Sequence, residues 1–286
     1  MRSFPFLPAT TLCPRLRWGD RMRIIDLLCS LPLWLIAVVL NVVLMGIALI
    51  GLRLVRRWVV PGMRLCYEDA YFAAAVVQSA MLLYGLVAAL TAVGVWERFN
   101  EASETASAEA MAIASLWRDL GGYPPPVRDK AHDFLRGYTE QIIMQDWPEQ
   151  RRGIVPRSGM VWMDQLQAHL FTFEPTSESQ KILHAETLRA YNQLVQWRRE
   201  RLEAVKGQLP GVLWCVLLPG AMACIVICLF FHAEDLRLHS ILLVGLAGFL
   251  AMVLFVIVAL DRPFRGATRV TTESYQIAYD QLMKKR

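Results

Sequence analysis

Five histidines, six cysteines and a scattering of serines are the residues that could do catalytic or metal chemistry in this 286-residue chain. Their spacing supports neither. His132, His169, His184, His232 and His239 form no HxxxH or HExxH pair, and none has a cysteine at ligand spacing. Cys13, Cys29, Cys66, Cys215, Cys224 and Cys228 include no CxxC. Cys224 and Cys228 lie one helical turn apart in an apolar stretch, where a thiol packs as a small hydrophobe. No serine occupies a GxSxG elbow, and no glycine-rich loop is placed to cradle a phosphate. His132 and Asp133 adjoin, and on an amphipathic helix that pair reads as a solvated face. The expectation is a chain that is not an enzyme, with no catalytic residue, no metal site and no cofactor.

The polar residues inside apolar stretches are more informative. Asn41 interrupts the first such stretch, and Gln78, Ser79, Tyr84 and Thr91 interrupt the second. An uncharged polar group at membrane depth must find a partner or water, so it faces other helices or a cavity. Helix–helix contact is the plainer reading; Gln78, Ser79, Thr91 and Asn41 are the pore-lining candidates. No Asp, Glu, Lys or Arg lies inside these stretches, which disfavours a proton-coupled transporter and leaves a passive path open.

Four uninterrupted apolar runs position these residues, at about 30–52, 72–96, 211–231 and 240–260. Each is long enough to cross a hydrocarbon core as a helix, which takes about 20 residues. They account for an apolar content of 55%, high for a water-soluble domain. The predicted fold is all-α, with four transmembrane helices and a helical domain inserted between spans two and three. The boundaries read as a disordered arm at 1–21, a first helix pair at 22–96, the inserted domain at 97–207, a second helix pair at 208–262 and a tail at 263–286. The arm carries Pro5, Pro8 and Pro14 and no apolar period, and Met22 opens a credible shorter frame.

Four spans place both termini and the inserted domain on one side. Near the membrane that side carries twelve basic residues against five on the other, which predicts a cytoplasmic location in a bacterial inner membrane. The inserted domain from 97 to 206 has a net charge of −2, and the remainder carries +7. The basic excess hugs the membrane segments, where anionic lipid explains it without a nucleic-acid partner.

No proline or late glycine breaks the helix from Phe72 to Leu120, so span two extends well beyond the bilayer. Past the membrane Ser103, Ala106, Ala110 and Ile113 follow heptad spacing, then Trp117 and Leu120. Small residues allow close backbone approach, so this seam packs either within the chain or against another subunit. Gly121-Gly122 and three prolines end the helix. A second helix follows with Val127, Ala131, Phe134, Leu135, Tyr138 and Ile142 on one face, stopped by Trp147-Pro148. A short helix spans about Met160–Phe171. Ser177 then opens the last helix, with Gln180 at capping-box spacing and Leu188, Val195 and Leu202 seven residues apart.

Five segments in matching order resemble the bestrophin-like family of bacterial four-span membrane proteins. They are Leu31-Pro32-Leu33-Trp34-Leu35, Val95-Trp96-Glu97-Arg98-Phe99-Asn100, Asp146-Trp147-Pro148, Leu209-Pro210-Gly211-Val212-Leu213-Trp214 and Leu260-Asp261-Arg262-Pro263-Phe264-Arg265-Gly266. The likeness runs from about Met22 to Val270 and singles out Asp261, Arg262, Pro263 and Phe264 at the exit of span four. The more distant bestrophins are pentameric, calcium-gated anion channels with four spans and cytoplasmic termini. They carry an acidic cluster after an Asn-Pro-Phe-Gly turn. Here Arg262-Pro263-Phe264-Arg265 has no acidic residue behind it before Glu273, and a calcium site wants several carboxylates.

The resemblance implies a homo-oligomeric channel, a pentamer by analogy, passing inorganic ions, anions first, along span two. Membrane lipid would surround it. The alternative is a non-conducting scaffold or sensor whose inserted domain binds a protein.

Overall fold

The computed structural model describes residues 32–59, 67–230, 235–266 and 268–284; the expected arm at 1–21 lies outside them. Every regular element among the described residues is a helix. Four helices are long and apolar enough to span a membrane: α1 (Leu33–Trp58), α2 (Tyr67–Leu120), and, after the inserted domain, α7 (Gly211–Leu229) and α8 (Leu236–Leu260). Between them lie α3 (Pro125–Gln141), α4 (Trp147–Arg151), α5 (Met160–Phe171) and α6 (Glu178–Ala204), and α9 (Glu273–Ala278) follows α8.

The membrane layer is held by small and branched residues from all four spans. Leu44, Ala48 and Leu52 of α1, Ala88 and Val95 of α2, Leu217, Ala221 and Ile225 of α7, and Leu243, Ala247 and Leu254 of α8 share one buried cluster. α1 runs past the expected Leu52 through Arg53, Arg56 and Arg57 to Trp58. The extra turn is anchored: Arg56 Nη2 lies 3.3 Å from His239 Nδ1, and His239 Nε2 lies 3.1 Å from the Cys228 carbonyl. A guanidinium can only donate, so the ring accepts at Nδ1 and donates from Nε2. The ends of α1, α7 and α8 are tied at this point. α8 starts four residues earlier than expected, because Asp235 caps it by accepting from Arg237 N–H.

α2 is a single helix of 54 residues, about 80 Å long. It leaves the membrane and forms one side of a water-exposed stalk. Pro125 opens α3 at the first helical positions, where its missing N–H costs nothing. Trp147-Pro148 does not stop the chain there, contrary to the sequence expectation. A π-helical turn over Ile142–Asp146 widens the backbone, and Pro148 then sits in the first turn of α4. A wide turn removes the clash that a proline would impose on regular helix.

Ser177 caps α6 as expected, its hydroxyl accepting from Gln180 N–H at 3.2 Å. Gln180 reaches back to the Thr176 N–H, one residue earlier than a strict capping box. The buried face of α6 is not the Leu188–Val195–Leu202 row. It is Thr187, Tyr191, Leu194, Arg198 and Arg201, and Arg201 is held there by a buried carboxylate partner, Glu109, that raw hydropathy does not reveal. His132 is also less solvated than its sequence suggested. Its ring stacks on Trp117 at 3.8 Å and its Nε2 lies 3.0 Å from the Trp117 carbonyl, while Asp133 stays outside with Arg136.

Candidate functional site

α2 is the element to examine for a path, since its membrane portion is the least covered of the four spans, only 17% of its most apolar window being buried. Gln78 and Ser79 lie on its exposed face, with Leu82, Leu83, Leu86, Leu90 and Val93 following. The Ser79 hydroxyl donates to the Ala75 carbonyl, so it is satisfied inside its own helix. Thr91 and Asn41 differ. Thr91 is buried and donates to Val87 O, while half-buried Asn41 donates to Ala37 O and points its other amide atom toward Gly248 of α8. Tyr84 donates to Leu217 O of α7 beside the internal Pro219, with its ring against Gly220. The structure therefore separates the sequence candidates: Gln78 and Ser79 face outward, Asn41 and Thr91 turn inward with their polar groups satisfied within their own helices, and Tyr84 ties α2 to α7.

The seam beyond the membrane is filled from within the chain. Ala106, Ala110 and Ile113 are buried in the stalk core alongside Leu135, Tyr138, Tyr191 and Leu194 of the neighbouring helices, and Ser103 is half-buried. The plainer of the two readings, an intrachain helix pair, accounts for them.

The exit of α8 joins the membrane layer to the stalk. Asp261 Oδ1 accepts from the Leu209 N–H at 2.7 Å, tying the start of α7 to the end of α8. Burial pushes the Asp261 carboxyl above its ordinary range, against the Leu209 N–H and the arginines at 262 and 98. Arg262 is buried at 7% exposure, its carbonyl accepting from Arg265 N–H in a tight turn. Pro263 O accepts from Val270 N–H at 2.9 Å. Phe264 packs edge-on to Trp147 at 5.6 Å, the residue that also donates from its indole to Val270 O. Arg265 donates to Arg152 O at 2.6 Å, lying so close over Gly153 that any Cβ there would strike its guanidinium; Gly153 also has φ +73°.

The overall arrangement of spans and inserted stalk recurs in known proteins. The bestrophin-like domain family matches residues 42–275, most of the chain. The chain belongs to the bestrophin-like family. No curated protein matches it in sequence. Among solved structures, two single-substitution variants of a bacterial bestrophin homologue from Klebsiella pneumoniae superpose on it. One has TM-score 0.64 at 12% identity, covering 92% of this chain and 98% of that one. The other has TM-score 0.63 at 12% identity, covering 86% and 97%. A protein described only as a membrane protein superposes with TM-score 0.64 at 11% identity, covering 87% and 99%. At such identities the likeness is one of fold, and the four apolar helices are the spans of an integral membrane protein.

Two features of this bestrophin-like chain lie beyond the sequence reading. The first is a buried ionic knot. Glu109 of α2 accepts from Arg201 of α6 at both carboxylate oxygens, from Tyr138 at 2.6 Å and from Tyr275 at 3.0 Å. The second is the tail, which folds back: Phe264, Val270, Tyr275 and Met283 enter the stalk core. A glutamate in heptad spacing next to Ala110 was the available signal for the first. For the second, the helical spacing of Tyr275, Ala278, Tyr279 and Met283 was the signal.

Proposed function

We propose that the chain forms a homo-oligomeric ion channel in a bacterial inner membrane, with its termini and stalk in the cytoplasm. The single observation that carries this reading is α2. It crosses the bilayer nearly uncovered by the chain's own helices, sets Gln78 and Ser79 on its outer face, and continues unbroken into the stalk. A largely uncovered span carrying such a polar side chain suits a ring in which copies of α2 surround a wet path, since lipid offers the Gln78 amide nothing. Family membership supports it. A pentamer is the analogy with bestrophins, and anions are favoured by basic residues such as Arg98 and Arg269 near the stalk junction, which raise local anion concentration. Membrane lipid covers the remaining apolar faces. Chloride flux into liposomes holding the purified protein tests the proposal; protein-dependent flux that exceeds potassium flux is expected, and no flux of either ion sinks it.

A second reading, a scaffold or sensor, draws on the stalk surface. Met144, Met160, Val161, Phe171 and Ile182 are all exposed there, more apolar side chain than a solitary stalk needs.

A further inference from the structure

Where α2 and α8 leave the membrane, a cavity of about 270 Å³ opens between α2, α6 and the α8 exit. Val95, Ala102, Ala204, Leu260 and Pro263 give it apolar walls. Its charged lining is one-sided: Glu101, Glu200, Glu203 and Asp261 face a single basic residue, Arg98. Arg98 makes only a long 3.5 Å contact to the Gln208 carbonyl.

Thr105 singles the cavity out. It lines the space, is 8% exposed, and makes no hydrogen bond among the described residues. The other buried helical threonines all donate to the carbonyl four residues back: Thr91 to Val87, Thr139 to Leu135, and Thr187 to Leu183. Their hydroxyls are thereby satisfied within their own helix. The Thr105 side chain forgoes that bond, which leaves its hydroxyl open to the cavity and to whatever occupies it.

The ligand chemistry follows from the lining. Carboxylates in excess call for a cation. A divalent metal needs several oxygens converging at about 2.3–2.6 Å. No three of the described His, Cys, Asp and Glu side chains converge in that way. An ammonium group is less demanding, since its three donors accept spread-out partners at ordinary hydrogen-bond distance. The apolar walls suit a hydrocarbon stem behind it. We propose that this cavity binds a primary ammonium group, held by Glu200, Glu203 and the Thr105 hydroxyl. The group comes from either of two sources, the headgroup of phosphatidylethanolamine or a soluble aliphatic amine. Trp96, exposed and next in sequence to the lining residue Val95, is of the aromatic type that sits at headgroup level, which brings a headgroup within reach and places Arg98 for its phosphate. Binding here does not depend on whether the chain conducts.

The test uses full-length protein purified in detergent, as wild type, as E200Q/E203Q and as Thr105→Val. Lipid retention is read by native mass spectrometry with phosphatidylethanolamine against phosphatidylcholine, whose quaternary ammonium has no N–H to donate. Thermal stability is read with added spermidine, and separately with calcium. A preference for phosphatidylethanolamine of roughly tenfold, the loss of about one charge-assisted hydrogen bond, that vanishes in both variants identifies a lipid site. Equal retention of the two lipids, with a spermidine-induced stabilisation that both variants lose, identifies a soluble-amine site. Thr105→Val is near-isosteric, so it keeps the test sharp if the double variant folds poorly. Equal lipid retention with no spermidine effect overturns the proposal. So does a preference untouched by either variant, or stabilisation by calcium in place of spermidine.

Discussion

Arg201 on α6 grips the Glu109 carboxylate on α2 through two of its nitrogens, and both side chains are fully closed off from solvent. Burial alone would push the Arg201 guanidinium down, but Glu109 beside it holds it well above its ordinary value. Tyr138 and Tyr275 are pushed up as well: burial first, then the neighbouring Glu109 charge, keeps their phenols protonated and donating. Four separate elements, α2, α3, α6 and α9, therefore meet at one carboxylate.

Removing one partner of this pair leaves an uncompensated buried charge, which costs about 3–5 kcal/mol. Glu109→Gln and Arg201→Met are each expected to lower the thermal unfolding midpoint of the stalk steeply. Glu109→Leu combined with Arg201→Met should recover much of the loss, since no charge is then stranded. Unfolding of the three proteins in detergent, followed by circular dichroism, checks this. A double variant worse than both singles contradicts it.

Ala106 and Ala110 are each 2% exposed within the single chain, against the stalk helices. Ala106→Leu or Ala110→Leu would overpack that contact, at about 1–3 kcal/mol per site. The expected result is a lower unfolding temperature with the purified protein's elution volume unchanged. Glu104→Gln, on the exposed face, should alter neither. Dissociation without loss of stability would return the seam to a contact between subunits.

His132 supplies a pH dependence. Burial against Trp117 holds its pKa below the ordinary 6.5, opposed by the Trp117 carbonyl and reinforced by Arg128 and Arg136. The unfolded chain takes up a proton from about pH 6.5 downward, and the folded chain resists it. Stability is therefore unaffected by this group above that pH, and falls as pH drops through 6.5 toward the lower folded value. Unfolding midpoints between pH 8 and pH 5 should show a decline that His132→Gln makes shallower. An unchanged slope in the variant would assign the decline to other groups.

The spans, their order and the unbroken α2 were legible because long apolar runs and missing prolines are local properties. So were the Ser177 cap and the Met160–Phe171 helix. The stalk's inner face was not. Hydropathy gives no reason to bury an arginine, and only the three-dimensional meeting with Glu109, Tyr138 and Trp147 makes burial of Arg201 tolerable. Pro148 read as a stop because a π-helical turn upstream has no clear sequence mark. The return of Tyr275 to the stalk depends on the Pro263–Val270 turn, a contact between distant segments once the chain has doubled back. Among the polar span residues, type and depth could not say which way each pointed; Asn41 and Thr91 turned inward and Gln78 outward.

That difference in direction yields the test of the path itself. If copies of α2 surround it, a cysteine at Gln78 faces water and one at Thr91 does not. Thr91 is 8% exposed in the chain and satisfied by Val87 O, so it is covered by its own subunit whatever the assembly. A charged thiol reagent needs water to reach a thiol and ionise it. In a background free of native cysteines, Gln78→Cys protein in liposomes should lose most of its chloride flux on adding such a reagent, because a fixed charge at a narrow path blocks or repels ions. Ser79→Cys, on the same exposed face one position on, should respond more weakly, and Thr91→Cys and Asn41→Cys should not respond. A positively charged reagent at Gln78 should reduce anion flux less than a negatively charged one. Equal insensitivity at all four positions, in protein that still conducts, would place the path elsewhere than on α2.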